Sequence, residues 1–181
     1  KLNRKFDIIE CVGTLHHMKN PIQGLKELLD VLEPHGFLKL GLYSETARQN
    51  VVKARELIKK RNYKNTTKDI KKFRQDVFDK RVDPLTQKVN TFLDFYSTSM
   101  VRDLLFHVQE HRFTIPKISK ILKDFNLEFL GFISVSSEIK KEYLKNFPKD
   151  KKYTSLYNWH EFEKKKPDTF VGMYQFWVRK L

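Results

Sequence analysis

Phe6-Asp7-Ile8-Ile9-Glu10-Cys11-Val12, closed by Gly13 and followed by Thr14-Leu15-His16-His17-Met18, is the stretch on which the fold turns. A short, mostly apolar run rich in β-branched residues reads as a buried strand, and the glycine ends it. Asn20-Pro21 then opens a helix, because Asn can cap free N–H groups and Pro suits the first helical turn. Ile22, Leu25, Leu28, Leu29 and Leu32 recur at helical spacing and give that helix one apolar face. Pro34-His35-Gly36 stops it, and Phe37-Leu38-Lys39-Leu40-Gly41-Leu42-Tyr43 comes next as a second strand. Strand, helix, turn and strand make a β-α-β unit, which sets its two strands parallel with a right-handed crossover.

Beyond Tyr43 the pattern turns helical. Val51, Val52, Leu57 and Ile58 repeat between lysines and arginines over 45–63. Thr66-Thr67-Lys68-Asp69 is a capping signal for a helix with Ile70, Phe73, Val77 and Phe78 on one side, and Asp83-Pro84 breaks it. A helix over about 98–110 turns Val101, Leu104, Leu105 and Val108 inward. Thr114-Ile115-Pro116 starts another, with Asn126 at its C-cap. Residues 127–135 read as a third strand, 138–169 as helical in parts, and 170–178 as a fourth strand. The class is α/β, with helices clustered between the second and third strands.

The 181 residues carry 36 Lys+Arg against 22 Asp+Glu, a net +14. With 40% apolar residues and fifteen Phe, the chain can bury a core, and a disordered class is excluded. A single cysteine, Cys11, excludes an intrachain disulfide and fits a reducing, cytoplasmic setting. Apolar runs fall far short of the ~20 residues a membrane helix needs. Fourteen basic and six acidic residues lie in 45–91, so the excess sits on helices. Only Tyr63, Phe73 and Phe78 could stack on bases there, and the two Phe read as core-facing. A solvated lysine-rich face is therefore favoured over a nucleic-acid groove.

Taken together, these residues resemble the second half of a class I S-adenosylmethionine-dependent methyltransferase. In many small-molecule members a strand reading Phe-Asp-x-Ile, here Phe6-Asp7-Ile8-Ile9, leads to a Leu-His-His segment, here Leu15-His16-His17, beside the cofactor. The helix over 20–33, the Pro34-His35-Gly36 turn and the strand over 37–43 match the next helix, turn and strand of those proteins. The strands at 127–135 and 170–178 match that sheet's final antiparallel pair. Leu42-Tyr43-Ser44, the stretch Arg102 to His111, and Gly172-Met173-Tyr174-Gln175-Phe176-Trp177 are similar to bacterial members often joined to tetratricopeptide repeats.

The resemblance implies an incomplete Rossmann-like methyltransferase sheet made of the C-terminal strands, the last two antiparallel. It implies one partial domain over 1–181, with a helical lid or insertion at about 45–125. The family's glycine-rich loop and the acidic residue for the ribose hydroxyls have no counterpart here. The expectation is a fragment, lacking the N-terminal half of its domain, that binds S-adenosylmethionine weakly or not at all alone. Its strand over 6–12 would then be an unpaired edge able to recruit a second copy. A non-catalytic binding or regulatory module and, behind it, a basic RNA-binding module are the alternatives.

The expected site rests on the rule that ligands lie beyond the carboxyl ends of parallel strands. Cys11, Val12 and Gly13 would line the adenosyl group through their backbone. His16 or His17 would orient the acceptor or take its proton, since an imidazole suits base work near neutral pH; alternatively one packs under the loop and the other faces solvent. Tyr43 would face the same crevice or serve the core. Arg102, His107, Glu110 and His111 are candidates for gripping a polar or anionic acceptor, which remains unidentified; the alternative is a surface ion-pair cluster such as Glu110 with Arg112. His107-Val108-Gln109-Glu110-His111 also fits the His-x-x-Glu-His pattern of zinc peptidases, which on a helix puts both imidazoles on one face. It has no third ligand in sequence, so no metal is expected.

Overall fold

The fold was obtained as a computed structural model and describes residues 2–107, 109–133 and 135–181. Asn20 starts α1 (Pro21–Asp30) by accepting the Gln23 N–H at 3.1 Å on its side-chain oxygen. α1 buries Leu25 and Leu29 and connects β1 (Phe6–Val12) to β2 (Leu32–Leu42). The two strands pair in parallel, from Ile8 beside Phe37 to Val12 beside Gly41. Pro34-His35-Gly36 does not separate helix from strand as its breaker residues suggest. α1 already ends at Asp30, and the three residues bulge inside β2, where pairing jumps from Phe6–Leu32 to Ile8–Phe37. His35 takes a φ of 62° there, and a Cβ on Gly36 would sit 2.9 Å from the Glu33 carbonyl oxygen.

β3 (Leu127–Phe132) and β4 (Tyr174–Lys180) complete one four-stranded sheet in the order β1-β2-β4-β3. β4 runs antiparallel to both neighbours, so β1, β2 and β3 share one direction. The fold class is thus α/β with a mixed sheet. β3 is shorter than its apolar run, and Ser134 lies outside the described residues. β4 begins late because Pro167–Phe170 first forms a short 3-10 turn. Phe176 on β4 is fully buried while its neighbour Trp177 is only half-buried, as strand alternation requires. β1 corrects the reading of a buried strand. It lies at the sheet edge, only Cys11 is buried, and Ile8 is 59% exposed. An apolar run encodes what a strand needs from its neighbours, and here one side has none among the described residues.

The chain divides into two units. A sheet unit holds residues 1–47 and 109–181, and a helical unit holds 48–108. In the sheet unit, α6 (Ile115–Asp124), α7 (Ser137–Asn146) and α8 (Leu156–Lys165) join α1 and the sheet. Trp159 on α8 stacks on Tyr143 of α7 at 4.0 Å and donates its indole N–H to the Tyr153 carbonyl at 2.9 Å. Asn126 closes α6 in the left-handed conformation, φ 53°.

The helical unit has α2 (Gln49–Lys60), α3 (Thr67–Phe78), the short α4 (Pro84–Gln87) and α5 (Thr98–Leu105). Thr66 caps α3 through the Asp69 N–H at 3.2 Å. Val51, Ala54, Ile70, Phe73, Val77 and Val101 form a separate apolar core with no exposure. Phe78 does not join it: the last residue of α3 is 46% exposed and packs edge-on against Phe95. α5 ends at Leu105, five residues short of the expected helix, and Val108 lies outside the described residues. No helix among the described residues is long and apolar enough to cross a membrane.

Candidate functional site at the carboxyl ends of the parallel strands

β1 and β2 both end at one edge of the sheet, where Leu42 pairs with Tyr174 at the start of β4. Gly41 lets the strands close up: a Cβ there would sit 2.6 Å from the Val12 side chain. β1 alternation turns Cys11 into the core and Val12 outward, 37% exposed. Burial also pushes the Cys11 thiol pKa up, so it sits there as a neutral apolar filler. Gly13 takes φ 79° with open space on the side where a Cβ would project, leaving its backbone approachable.

Leu15–His17 form a single 3-10 turn directly after that glycine. His16 is fully buried and stacks on Tyr43 with ring centroids 3.6 Å apart. His17 is half-buried and meets His16 edge-on at 4.5 Å. Its Nδ1 lies 3.1 Å from the Gln109 carbonyl oxygen. A carbonyl only accepts, so Nδ1 carries the hydrogen and the neutral ring keeps its lone pair on Nε2.

The segment returning from the helical unit threads between these elements as extended chain. His111 donates its N–H to the His16 carbonyl at 2.7 Å, and Phe113 donates to Tyr43 at 2.8 Å. Glu45 donates back to Phe113 at 2.8 Å, making a parallel bridge between Ser44 and Phe113. The Gln109 amide NH2 reaches the Met18 carbonyl at 3.3 Å and His111 Nε2 at 3.1 Å. One glutamine therefore ties the Leu15–His17 turn to the returning segment.

Behind Tyr43 lies a buried polar knot. Glu163 on α8 is 2% exposed and faces no cation at ion-pair distance among the described ion pairs. The Tyr174 hydroxyl donates to it at 2.6 Å and Ser44 Oγ at 3.0 Å. Ser44 Oγ in turn accepts the Ala47 N–H at 3.1 Å. Burial pushes the Glu163 carboxyl above its ordinary pKa, an effect the two hydroxyls only partly offset. The same burial and the adjoining carboxylate push the Tyr174 phenol up as well.

The structure thus brings His16, His17, Tyr43 and His111 together in one place, beside Val12 and Gly13. Arg102 and His107 belong to the helical unit, where Arg102 Nε donates to Asn65 at 2.9 Å. The Glu110 side chain is buried, with its carboxylate 3.7 Å from Arg112, which also holds Glu45 at 3.1 Å. The zinc-peptidase pattern fails for a physical reason: residues 109–111 are extended, so His107 and His111 share no helix face. Among the described residues no three His, Cys, Asp or Glu side chains converge to hold a metal. Gln109 and Glu163 escaped the sequence reading. Glu163 sits among charged residues that look solvated, and its one signal is the apolar Trp159 and Phe162 at helical spacing beside it.

No known family profile matches the chain. A stretch of 58 residues is 40% identical to an uncharacterized protein of Synechococcus, covering 32% of this chain and 14% of that one. Two solved structures of PKMT2 from Rickettsia typhi are similar throughout. One covers 97% of this chain at 15% identity with a TM-score of 0.69. The other, in complex with AdoHcy, covers 98% at 14% identity with a TM-score of 0.64. The chain spans 35% and 36% of those two structures' lengths. The chain thus shares the fold of a part of PKMT2, a mixed α/β sheet consistent with the Rossmann-like arrangement that the resemblance implied.

Proposed function

We propose that these residues form the acceptor side of an S-adenosylmethionine-dependent methyltransferase site, working with further strands of the same sheet. The observation that carries this reading is the meeting of His16, His17, Tyr43 and His111 at the carboxyl ends of β1 and β2. The AdoHcy held by PKMT2 supports the choice of cofactor class. Val12 and Gly13 fit the edge of an adenosyl group, being an outward apolar side chain followed by approachable backbone; the Cys11 side chain, turned into the core, does not. When bound, the cofactor would supply an electrophilic methyl on a sulfonium.

His17 would take the proton that an O, N or C acceptor sheds as it attacks, through the Nε2 lone pair that its Nδ1–H bond to Gln109 sets. His16 holds the floor of the site by stacking on Tyr43. Gln109 and His111 position the turn and wall off one side. Positioning of this kind supplies much of the rate in group transfer. Arg102 and His107 would grip the acceptor only if the helical unit reaches it. A lone buried thiol at Cys11 suits a reducing, cytoplasmic compartment.

β1 would receive a further strand of the sheet, its exposed Ile8 and Val12 being the apolar part of that contact. Alone at high concentration, a second copy of this chain would cover the edge; sedimentation of a strict monomer would refute that. The cofactor reading is tested by titrating S-adenosylhomocysteine into the isotope-labelled chain. Backbone shifts confined to Val12, Gly13 and the Leu15–His17 turn, with a Kd of roughly 1 mM, are expected. Shifts elsewhere, or none, would refute the site.

A further inference from the structure

The helical unit carries fifteen basic and seven acidic residues, and part of that excess is gathered into a groove. The groove, about 530 Å³ and open to solvent, has Arg55, Lys59, Asn62, Lys64, Asn65 and His107 as its polar lining, beside the apolar Ile58 and Leu105 and the rings of Tyr63 and Phe106. No carboxylate lines it. Asp69 beside it is turned to the Lys64 backbone N–H at 2.8 Å. Asp76, under Tyr63, is bonded by Arg61 and the Tyr63 hydroxyl and approached by Arg81. Neither neutralises the groove lysines.

The polar lining is biased towards donors. The Asn62 side-chain oxygen is taken by Lys64 Nζ at 2.6 Å and that of Asn65 by Arg102 Nε at 2.9 Å, so each amide keeps its NH2 as its remaining function. The Arg55 guanidinium is anchored by the Leu104 carbonyl at 3.0 Å. A ligand here must be anionic and rich in acceptors. The rings bear on which anion it is. Tyr63 meets Phe73 edge-on and has Lys72 over its face at 5.7 Å, while its hydroxyl is spent on Asp76. Phe106 is engaged edge-on by Phe73. Rings already occupied in this way make poor stacking platforms for nucleobases. Separated ammonium groups alternating with amide donors suit carboxylates spaced along an extended peptide.

We propose that this groove binds an acidic segment of a polypeptide. The proposal stands apart from methyl transfer, since it needs only binding by the helical unit. The test uses the whole chain and a fluorescein-labelled peptide of alternating Glu and Gly, followed by fluorescence anisotropy. A Gln-for-Glu peptide and an oligouridylate of equal length serve as comparison ligands. The acidic peptide should bind, more weakly as salt is raised, and the Gln peptide should not. Lys59→Glu with Lys64→Glu, or the milder Lys59→Gln with Lys64→Gln, should weaken it about tenfold for the reversal and less for the neutral pair. Lys151→Glu with Lys152→Glu, at exposed positions of the sheet unit, should change it less than about twofold. Equal loss from both reversals would mean diffuse attraction and overturn the site. So would oligouridylate binding tighter than the acidic peptide, or no binding of the peptide at all.

Discussion

The two units bury polar groups in different company. The helical unit buries Arg48 and Asp76, the latter bonded by Arg61 and the Tyr63 hydroxyl, beside an apolar core built around Phe73. The sheet unit carries a smaller basic excess, twenty-one basic against fifteen acidic residues, and buries Glu163 among hydroxyls and His16 under Tyr43. Burying such groups is costly unless every partner is in place. Charge on the surface of the helical unit has no such cost and tunes what is attracted.

The division can be broken first at Phe73. Phe73→Ala should cost about 3–5 kcal/mol, and the loss should fall on the helical unit. Both tryptophans, Trp159 and Trp177, lie in the sheet unit, so their fluorescence reports on that unit alone. Far-UV circular dichroism should therefore melt ahead of tryptophan emission in the variant. Coincident transitions would show that the two cores fold as one.

Next in size is the buried knot. Glu163→Ala should cost about 2–3 kcal/mol in urea unfolding, because its hydrogen bonds to Tyr174 and Ser44 vanish and two buried hydroxyls lose their acceptor. The pH dependence has a definite sign. The folded chain holds the Glu163 proton to higher pH than the unfolded chain does. Its stabilising contribution is therefore complete below the ordinary carboxylate range and lost as pH rises through the raised folded value. Glu163→Gln, which cannot ionise, should flatten that part of the profile. An unchanged slope would mean that the carboxyl titrates normally.

Gln109→Ala should cost about 1 kcal/mol, and should speed amide exchange at Met18 and His111 while leaving α2 and α3 protected. Smallest of all, Lys53→Ala in the helical unit and Lys120→Ala in the sheet unit each break an exposed helix pair, Lys53–Glu56 and Lys120–Asp124. Both should stay within ~0.5 kcal/mol of the parent. A larger effect at either would show that surface charge is structural in that unit.

Much of this architecture was legible in sequence because it rests on local rules. The α1 cap at Asn20, the α3 cap at Thr66 and the left-handed Asn126 are each written in residues that touch their own neighbours. The strands at β1 and β2 and their parallel pairing come from the β-α-β order. What sequence missed depended on distant partners. The Pro34-His35-Gly36 bulge needs β1 alongside it, and the exposure of β1 depends on which strands lie beside it. The non-helical course of 109–113 is set by hydrogen bonds to His16 and Tyr43, both far upstream in the chain, while the residues up to 110 read as helical. At the site, His16, His17 and Tyr43 were singled out because they come just after strand ends. Glu163 was not, since a buried carboxylate and a solvated one look alike until the hydroxyls around them are known.

The bridge between Ser44 and Phe113 runs parallel, and that direction sets how the chain can be edited. Antiparallel stems would let the helical unit be excised and its ends rejoined by a tight turn. Parallel stems leave the outgoing and returning ends at opposite ends of the pair, and such strands need a crossover of a dozen or more residues. The helical unit is therefore constrained by reach more than by sequence: another segment long enough to make the crossover could stand in its place without re-registering the strands of the sheet.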